Sequence, residues 1–226
     1  MNFEEKWKLY LDCLQGHPTV AFISEMDEDK KNLIKNSLPV NDFKNLLDIG
    51  TANGQEAFDL QQLGYNVIGI TRGKVNIAYS KEKFPSVNIL NVDMHDLKFK
   101  KGRFDSVYMC HTFEHAFAPF LLLLEINYIL RDKGRLLIIT PSFVEGMTEI
   151  TMISHHHPTL FYTEQYIAMF QSTGFNVINL DDSDSGGTII FLLEKNNNDL
   201  HSDVKTLLIN KELYDSRTGL SNKLWS

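Results

Sequence analysis

An apolar run ending in Asp48 and followed by Gly50 and Gly54 is the part of this chain best suited to holding a nucleotide. In the segment Leu46–Gly54, LLDIGTANG, the glycines let the backbone bend sharply and come close to a ligand, where any side chain would collide with it. Asp48, Gly50, Thr51, Ala52, Asn53 and Gly54 are the expected cradle. A helix from Gln55 to Leu63, ended by Gly64, should present its free N–H groups to the anionic end of a cofactor. Histidines supply a second kind of chemistry, because imidazole changes charge near working pH and serves as a general base. His111 follows one predicted strand, and His155, His156 and His157 follow the next on what should be the same rim. Three consecutive histidines also suggest a metal, but adjacent residues of an extended loop point to different sides and no Asp or Glu stands at ligand spacing nearby. No metal is expected.

Read as a dinucleotide fingerprint, Gly50-x-Ala52-x-x-Gln55 lacks the third small residue that lets helix and strand pack closely, which argues against a nicotinamide or flavin enzyme. The run resembles instead the first motif of class I S-adenosylmethionine-dependent methyltransferases, with Ala52 at the middle glycine of the usual pattern. The resemblance continues in order for about 150 residues. Gly64–Ile70 resembles the second strand, Val87–Asp93 the third, Phe104–Cys110 the fourth and Arg135–Thr140 the fifth. FDSVYMCHTFEH, Phe104–His115, and EINYILRDKGRLLIITP, Glu125–Pro141, are similar to the small-molecule branch of the family (methyltransferase type 11-like), as is the segment His155–Ile178.

The resemblance implies S-adenosyl-L-methionine as cofactor and assigns further residues to it. The ribose position at the end of the second strand, commonly acidic, is Thr71, whose hydroxyl makes a weaker clamp than a carboxylate; Arg72 offers its backbone beside it. Asp93 is placed to accept the adenine amine and Met94 to pack on the ring, with His95 and Asp96 able to exchange roles with them by one register step. His111 lies against the cofactor as well as among the candidate bases. Methyl transfer then requires alignment and, for an oxygen nucleophile, removal of a proton.

These residues need a rigid frame, and the chain alternates strand and helix as a mostly parallel sheet with helices on both faces does. The expected fold is α/β: a Rossmann-like seven-stranded sheet, its last strand antiparallel as the family implies. Residues 1–40 read as a helical segment covering the site, with helices over Phe3–Gln15 and Asp27–Ser37, 41–195 as the cofactor-binding domain, and 196–226 as a polar appendage with one helix near Asp199–Leu213. Phe117, Phe120, Leu121, Leu124 and Tyr128 recur at helical spacing and predict a helix with that face on the sheet, Pro119 in its first turn. The irregular stretch from Pro141 to Pro158 is the expected substrate cover.

Composition narrows the function. At 226 residues and 43% hydrophobic the chain supports one full core, and a formal net charge of -7 argues against nucleic acid as partner, which requires clustered Lys and Arg. Cys13 and Cys110 give neither a disulfide framework nor zinc spacing, the first residues have too many acids for a secretory signal, and Ala116–Leu124 is too short to span a bilayer. A cytoplasmic enzyme without membrane attachment is expected, transferring methyl groups to a small molecule, with an oxygen of a sugar or polysaccharide-pathway metabolite the favoured acceptor. The alternatives are a catalytically silent cofactor-binding subunit and, less favoured, a nicotinamide-dependent oxidoreductase.

Overall fold

In the computed structural model, which describes Glu5 and residues 23–141, 160–184, 187–196 and 204–206, seven strands form one sheet. They are β1 (Asn45–Ile49), β2 (Asn66–Thr71), β3 (Asn88–Asn91), β4 (Phe104–Cys110), β5 (Leu130–Pro141), β6 (Phe175–Asp184) and β7 (Thr188–Lys195). Their spatial order is β3-β2-β1-β4-β5-β7-β6, and β7 runs antiparallel to both neighbours while β1 to β5 pair in parallel. The expected Rossmann-like sheet with an antiparallel last strand is therefore present. Helices α1 (Glu28–Ser37), α2 (Gln55–Gln62) and α3 (Lys74–Lys83) lie on one side, α4 (Pro119–Ile129) and α5 (Thr163–Ser172) on the other.

The pleat divides the core. Leu47, Ile49, Val107, Met109, Leu136 and Ile138 pack with α4 and α5, and the alternate residues Leu46, Tyr108, Leu137 and Ile139 pack with Ile34, Leu38, Ala57 and Leu60 of α1 and α2. Because β1 has β2 on one side and β4 on the other, the chain changes direction across the sheet at β1, and the crevice this opens at the carboxyl ends is where α/β folds take ligands.

Two boundaries and one helix face differ from the sequence reading. β3 is shorter because, as an edge strand, it has only β2 to pair with, and the last pair is Thr71 with Asn91. β5 begins five residues early: Leu130 already pairs with Phe104 before an irregularity, with Lys133 at φ 59°, brings Arg135 opposite Ser106. The α4 face is largely reversed. Leu122, Leu123, Ile126 and Ile129 are wholly buried, as expected Tyr128 and Leu124 are nearly so, but Phe117, Phe120 and Leu121 are exposed. The helix is apolar almost all round, and its two inward polar residues have dedicated partners: Glu125 accepts Leu97 N–H at 3.0 Å, and Asn127 donates to Thr173 O at 2.9 Å. Nothing in the periodicity marked those two as inward-facing. The predicted Phe3–Gln15 helix and the Pro141–Pro158 cover fall, Glu5 and Pro141 apart, outside the described residues.

Candidate active site

The bend after β1 is pinned to β2, with Gly50 N–H and Thr51 N–H both donating to Ile70 O at 2.9 and 3.1 Å. Gly50 and Gly54 adopt φ 88° and 87°, and Ala52 between them is held at φ 45°, a region that alanine enters at a cost. The reason for the glycines differs from the expectation. A Cβ on Gly50 would lie 2.2 Å from Thr112 Oγ1, and one on Gly54 would lie 2.5 Å from Ile89 Cδ1 and 2.8 Å from Ser80 Oγ. Both positions are small so that the bend can pack against β3, α3 and the residue two past β4; the side chain a substitution would strike is the protein's own. The helix N-terminus is also less open than expected, since Asn53 Oδ1 accepts Gln55 N–H at 3.2 Å. Asn53 is further tied through its amide nitrogen to Ile23 O and through its carbonyl to Ser80.

What the bend does leave open is polar. Oδ2 of Asp48 and Oγ1 of Thr51 are buried and have no hydrogen-bond partner, a costly state in a folded protein unless a ligand completes it. Burial and then the negative charge of Glu56 push Asp48 up to about 8, against the neighbouring Thr51 hydroxyl and then the charge of Lys30. Lys30, on α1, forms an ion pair with Glu56, the nearly buried second residue of α2. Burial, the largest single effect, lowers Lys30, but the interactions with Glu56 and Cys110 together raise it overall. Cys110 completes this cluster, and burial pushes its thiol up to about 11, so it is the neutral group expected of it. Lys30 and Glu56 were not legible as site residues. A buried acid in the first turn of α2 was the available signal, but nothing in the spacing of α1 marks Lys30.

Along β2 and β3 the side chains engage one another. Thr71, 7% exposed, makes a long hydrogen bond of 3.4 Å to Arg72 O. Arg72 Nη1 lies 2.7 Å from Asp93 Oδ2, while Asp93 Oδ1 accepts His95 N–H at 2.9 Å and faces His95 Nδ1 at the same distance. His95 Nε2 in turn accepts Ala118 N–H at 3.2 Å, so the proton sits on Nδ1 and the ring is a bridge to the start of α4 rather than a base. Burial would raise Asp93, but the hydrogen bonds from His95 and the Arg72 charge prevail and hold its carboxyl below the ordinary value. Met94 is half-buried against the core of the α4 side.

His111 follows β4 at φ 46°, the second such non-glycine residue on this rim, with its N–H bonded to Ile139 O at 2.8 Å. Its side chain is 55% exposed, and Nδ1 lies 3.7 Å from Oε1 of Glu114, which is 1% exposed. The other oxygen of Glu114 accepts Thr140 Oγ1–H at 3.2 Å. Glu114 was missed in the sequence because nothing in the spacing showed its carboxyl to be buried. His155, His156 and His157 lie outside the described residues. The structure thus brings the Asp48–Gly54 bend, Thr71, Arg72, Asp93, Met94 and His111 to one end of the sheet. No group of three or more metal-ligating side chains is found among the described residues.

Residues 47–138, from the middle of β1 almost to the end of β5, match the family model of a methyltransferase domain. This segment is a methyltransferase domain. It implies S-adenosylmethionine as cofactor, and the two unpartnered oxygens at the bend fit that molecule, whose ammonium group donates hydrogen bonds. Solved structures agree on the fold. A putative methyltransferase from Bacillus halodurans superposes with a TM-score of 0.63 at 13% identity, over 76% of this chain and 100% of that one. A geranyl diphosphate methyltransferase in complex with GPP and sinefungin does so at 0.63 and 15%, over 74% and 76%. The [4+2]-cyclase SpnF gives 0.66 and 14%, over 84% and 92%. No curated protein sequence matches the chain. The SpnF likeness is a reminder that this methyltransferase fold does not by itself name the reaction.

Proposed function

We propose that this methyltransferase domain transfers a methyl group from S-adenosylmethionine to a hydroxyl oxygen of a small molecule, with His111 as the base. The observation that carries the reading is the pairing of His111, half exposed on the rim, with the buried carboxylate of Glu114. The Glu114 carboxyl behind Nδ1 orients the ring and leaves Nε2 to face the acceptor. Asp48 and Thr51 offer hydrogen-bond acceptors to the cofactor's amino-acid end, Thr71 its hydroxyl and Arg72 its backbone to the ribose, and Asp93 an acceptor to the adenine amine, with Met94 packing on the ring. When bound, S-adenosylmethionine supplies an electrophilic methyl group on a sulfonium. The protein's part is to align the acceptor and hold its proton's destination ready.

A sugar or polysaccharide-pathway acceptor rests on the resemblance of His111-x-x-Glu114-His115 to enzymes of those pathways; the geranyl diphosphate neighbour also acts on a small molecule. His155, His156 and His157 stay as alternative bases. The reading places the enzyme in the cytoplasm without membrane attachment; no helix among the described residues is long and apolar enough to cross a membrane.

Incubation with methyl-labelled S-adenosylmethionine and fractionated small metabolites tests the proposal. Label should pass to a hydroxyl-bearing compound, and His111→Gln should cut turnover by roughly 10² to 10⁴ while leaving cofactor binding nearly intact. Binding without any transfer would make the protein a silent cofactor-binding subunit. Unchanged turnover in His111→Gln would remove His111 from the chemistry.

A further inference from the structure

The outer face of α4 is apolar and open. Phe120 is 41% and Leu121 44% exposed, and both follow Phe117 at 58% on the turn before the helix. The stripe ends at Leu124, which is only 8% exposed, and the residue packed with it is Val204, itself 8% exposed; the two form an apolar cluster apart from the main core. Val204 belongs to a short helical piece, Val204–Thr206, in which it alone is buried while Lys205 and Thr206 face solvent. Helical spacing from Val204 puts Leu207 and Leu208 on its face, three and four residues on. Leu121 and Phe120 stand three and four residues before Leu124. Two stripes of equal spacing therefore meet at the one pair that the structure shows.

The direction of the chain is also set. Lys195, the last residue of β7, donates from Nζ to Leu130 O at 2.7 Å, at the far end of α4. Between Lys195 beside Leu130 and Val204 on Leu124, the chain has climbed α4 toward its N-terminus. A helix advances 1.5 Å per residue, so one further helical turn from Val204 would bring Leu207 and Leu208 level with Leu121 and Phe120.

We infer that the carboxyl-terminal segment Val204–Leu213 of this same chain docks antiparallel on the outer face of α4 and covers Phe120 and Leu121. The inference does not depend on the methyl-transfer reading. It gives the polar appendage a place: residues past Leu213 are delivered to the start of α4, next to the rim that carries His111.

Hydrogen exchange on the full chain tests it, with Leu207→Asp/Leu208→Asp compared with the wild type and with Thr206→Asp, which puts one such charge on the solvent face. Unchanged far-ultraviolet dichroism confirms that each variant folds. In the double variant the amides of residues 119–124 should exchange at least several-fold faster than in either reference, while β1 and β4 keep their protection. Equal exchange in all three proteins would overturn the docking. So would protection of 119–124 that grows with protein concentration alongside a dimer in light scattering, since a second copy would then cover the face.

Discussion

Asp48 shows how a single residue ties stability to ligand. Its carboxyl sits up at about 8 in the folded protein against 3.8 as a free side chain, first because it is buried and second because Glu56 is near. A raised acid favours the fold while it is neutral, so this contribution is complete below about pH 4 and is lost as the pH climbs toward 8. The unliganded protein should therefore lose stability from about pH 4 to about pH 8, with a slope of at most about 1.4 kcal/mol per pH unit from this group, and Asp48→Asn should flatten that loss in denaturant melts. The same variant should weaken binding of S-adenosylhomocysteine, more at pH 8.5 than at pH 6, because only the ionised carboxylate attracts an ammonium strongly. A wild type whose stability is level across this range would show that Asp48 is ionised in the fold. Ala52 offers a second test. At φ 45° it holds a conformation glycine adopts freely, and Ala52→Gly should stabilise the fold by about 0.5 to 1 kcal/mol unless the greater freedom of the unfolded glycine offsets the relief. Much of this rim was legible in the sequence, because Asp48, the bend and His111 are adjacent to apolar strands whose ends mark it. Lys30 and Glu56 were not, since each matters through a partner that only the folded chain brings close, and Glu114, three residues from His111, was passed over because nothing in the spacing showed its carboxyl to be buried.

At the scale of elements, legibility followed how distinct each pattern was. The buried strands β1, β2 and β4 read as apolar runs and stand within a residue or two of expectation, β4 without any shift. The helix after β4 was found, but its inward face was misjudged, since a helix apolar on every side has no face to read and nothing in the pattern marked its Glu125 and Asn127 as inward-facing. α1 shows the reverse: its start was visible in Asp27, which caps Lys30 N–H at 2.8 Å, but its function was not. It is strapped across α2 by Met26 N–H on Asp59 Oδ2 at 2.9 Å, by Asn53 on Ile23 O and by the Lys30–Glu56 ion pair. Of these the ion pair is the sensitive link. Lys30→Met leaves the Glu56 carboxylate nearly buried beside Asp48 with no cation, and should cost about 1 to 3 kcal/mol, less than a fully buried pair because the lysine side chain is 25% exposed. Adding Glu56→Gln to Lys30→Met should recover most of that loss. A double variant no more stable than the single one would mean that α1 is held by its backbone bonds and packing alone.

The whole molecule combines a sheet whose order turns at β1, a bend with two unpartnered oxygens at that turn, and a helix carried over the bend by residues before the domain. Such an arrangement accepts an adenosyl cofactor bearing an amino-acid tail and offers little to a dinucleotide. The second phosphate-linked nucleoside would need the open glycine-rich N-terminus of α2, and here Asn53 caps Gln55 N–H while Glu56 places a carboxylate in the first turn. Ligand selectivity should then appear in global stability, because a molecule that binds only the native state raises the melting temperature in proportion to RT ln(1 + [L]/Kd). At a hundredfold excess over Kd, S-adenosylhomocysteine should add about 2.7 kcal/mol, which for a chain of this size is a rise of roughly 5 to 10 °C, while NAD at the same concentration should add nothing measurable. Lys30→Met should lower the starting temperature and leave the increment largely in place, separating the strap's contribution to folding from the bend's contribution to binding. An increment with NAD and none with S-adenosylhomocysteine would mean that the orphaned oxygens of Asp48 and Thr51 serve some other donor, and the cofactor assignment would fall with them.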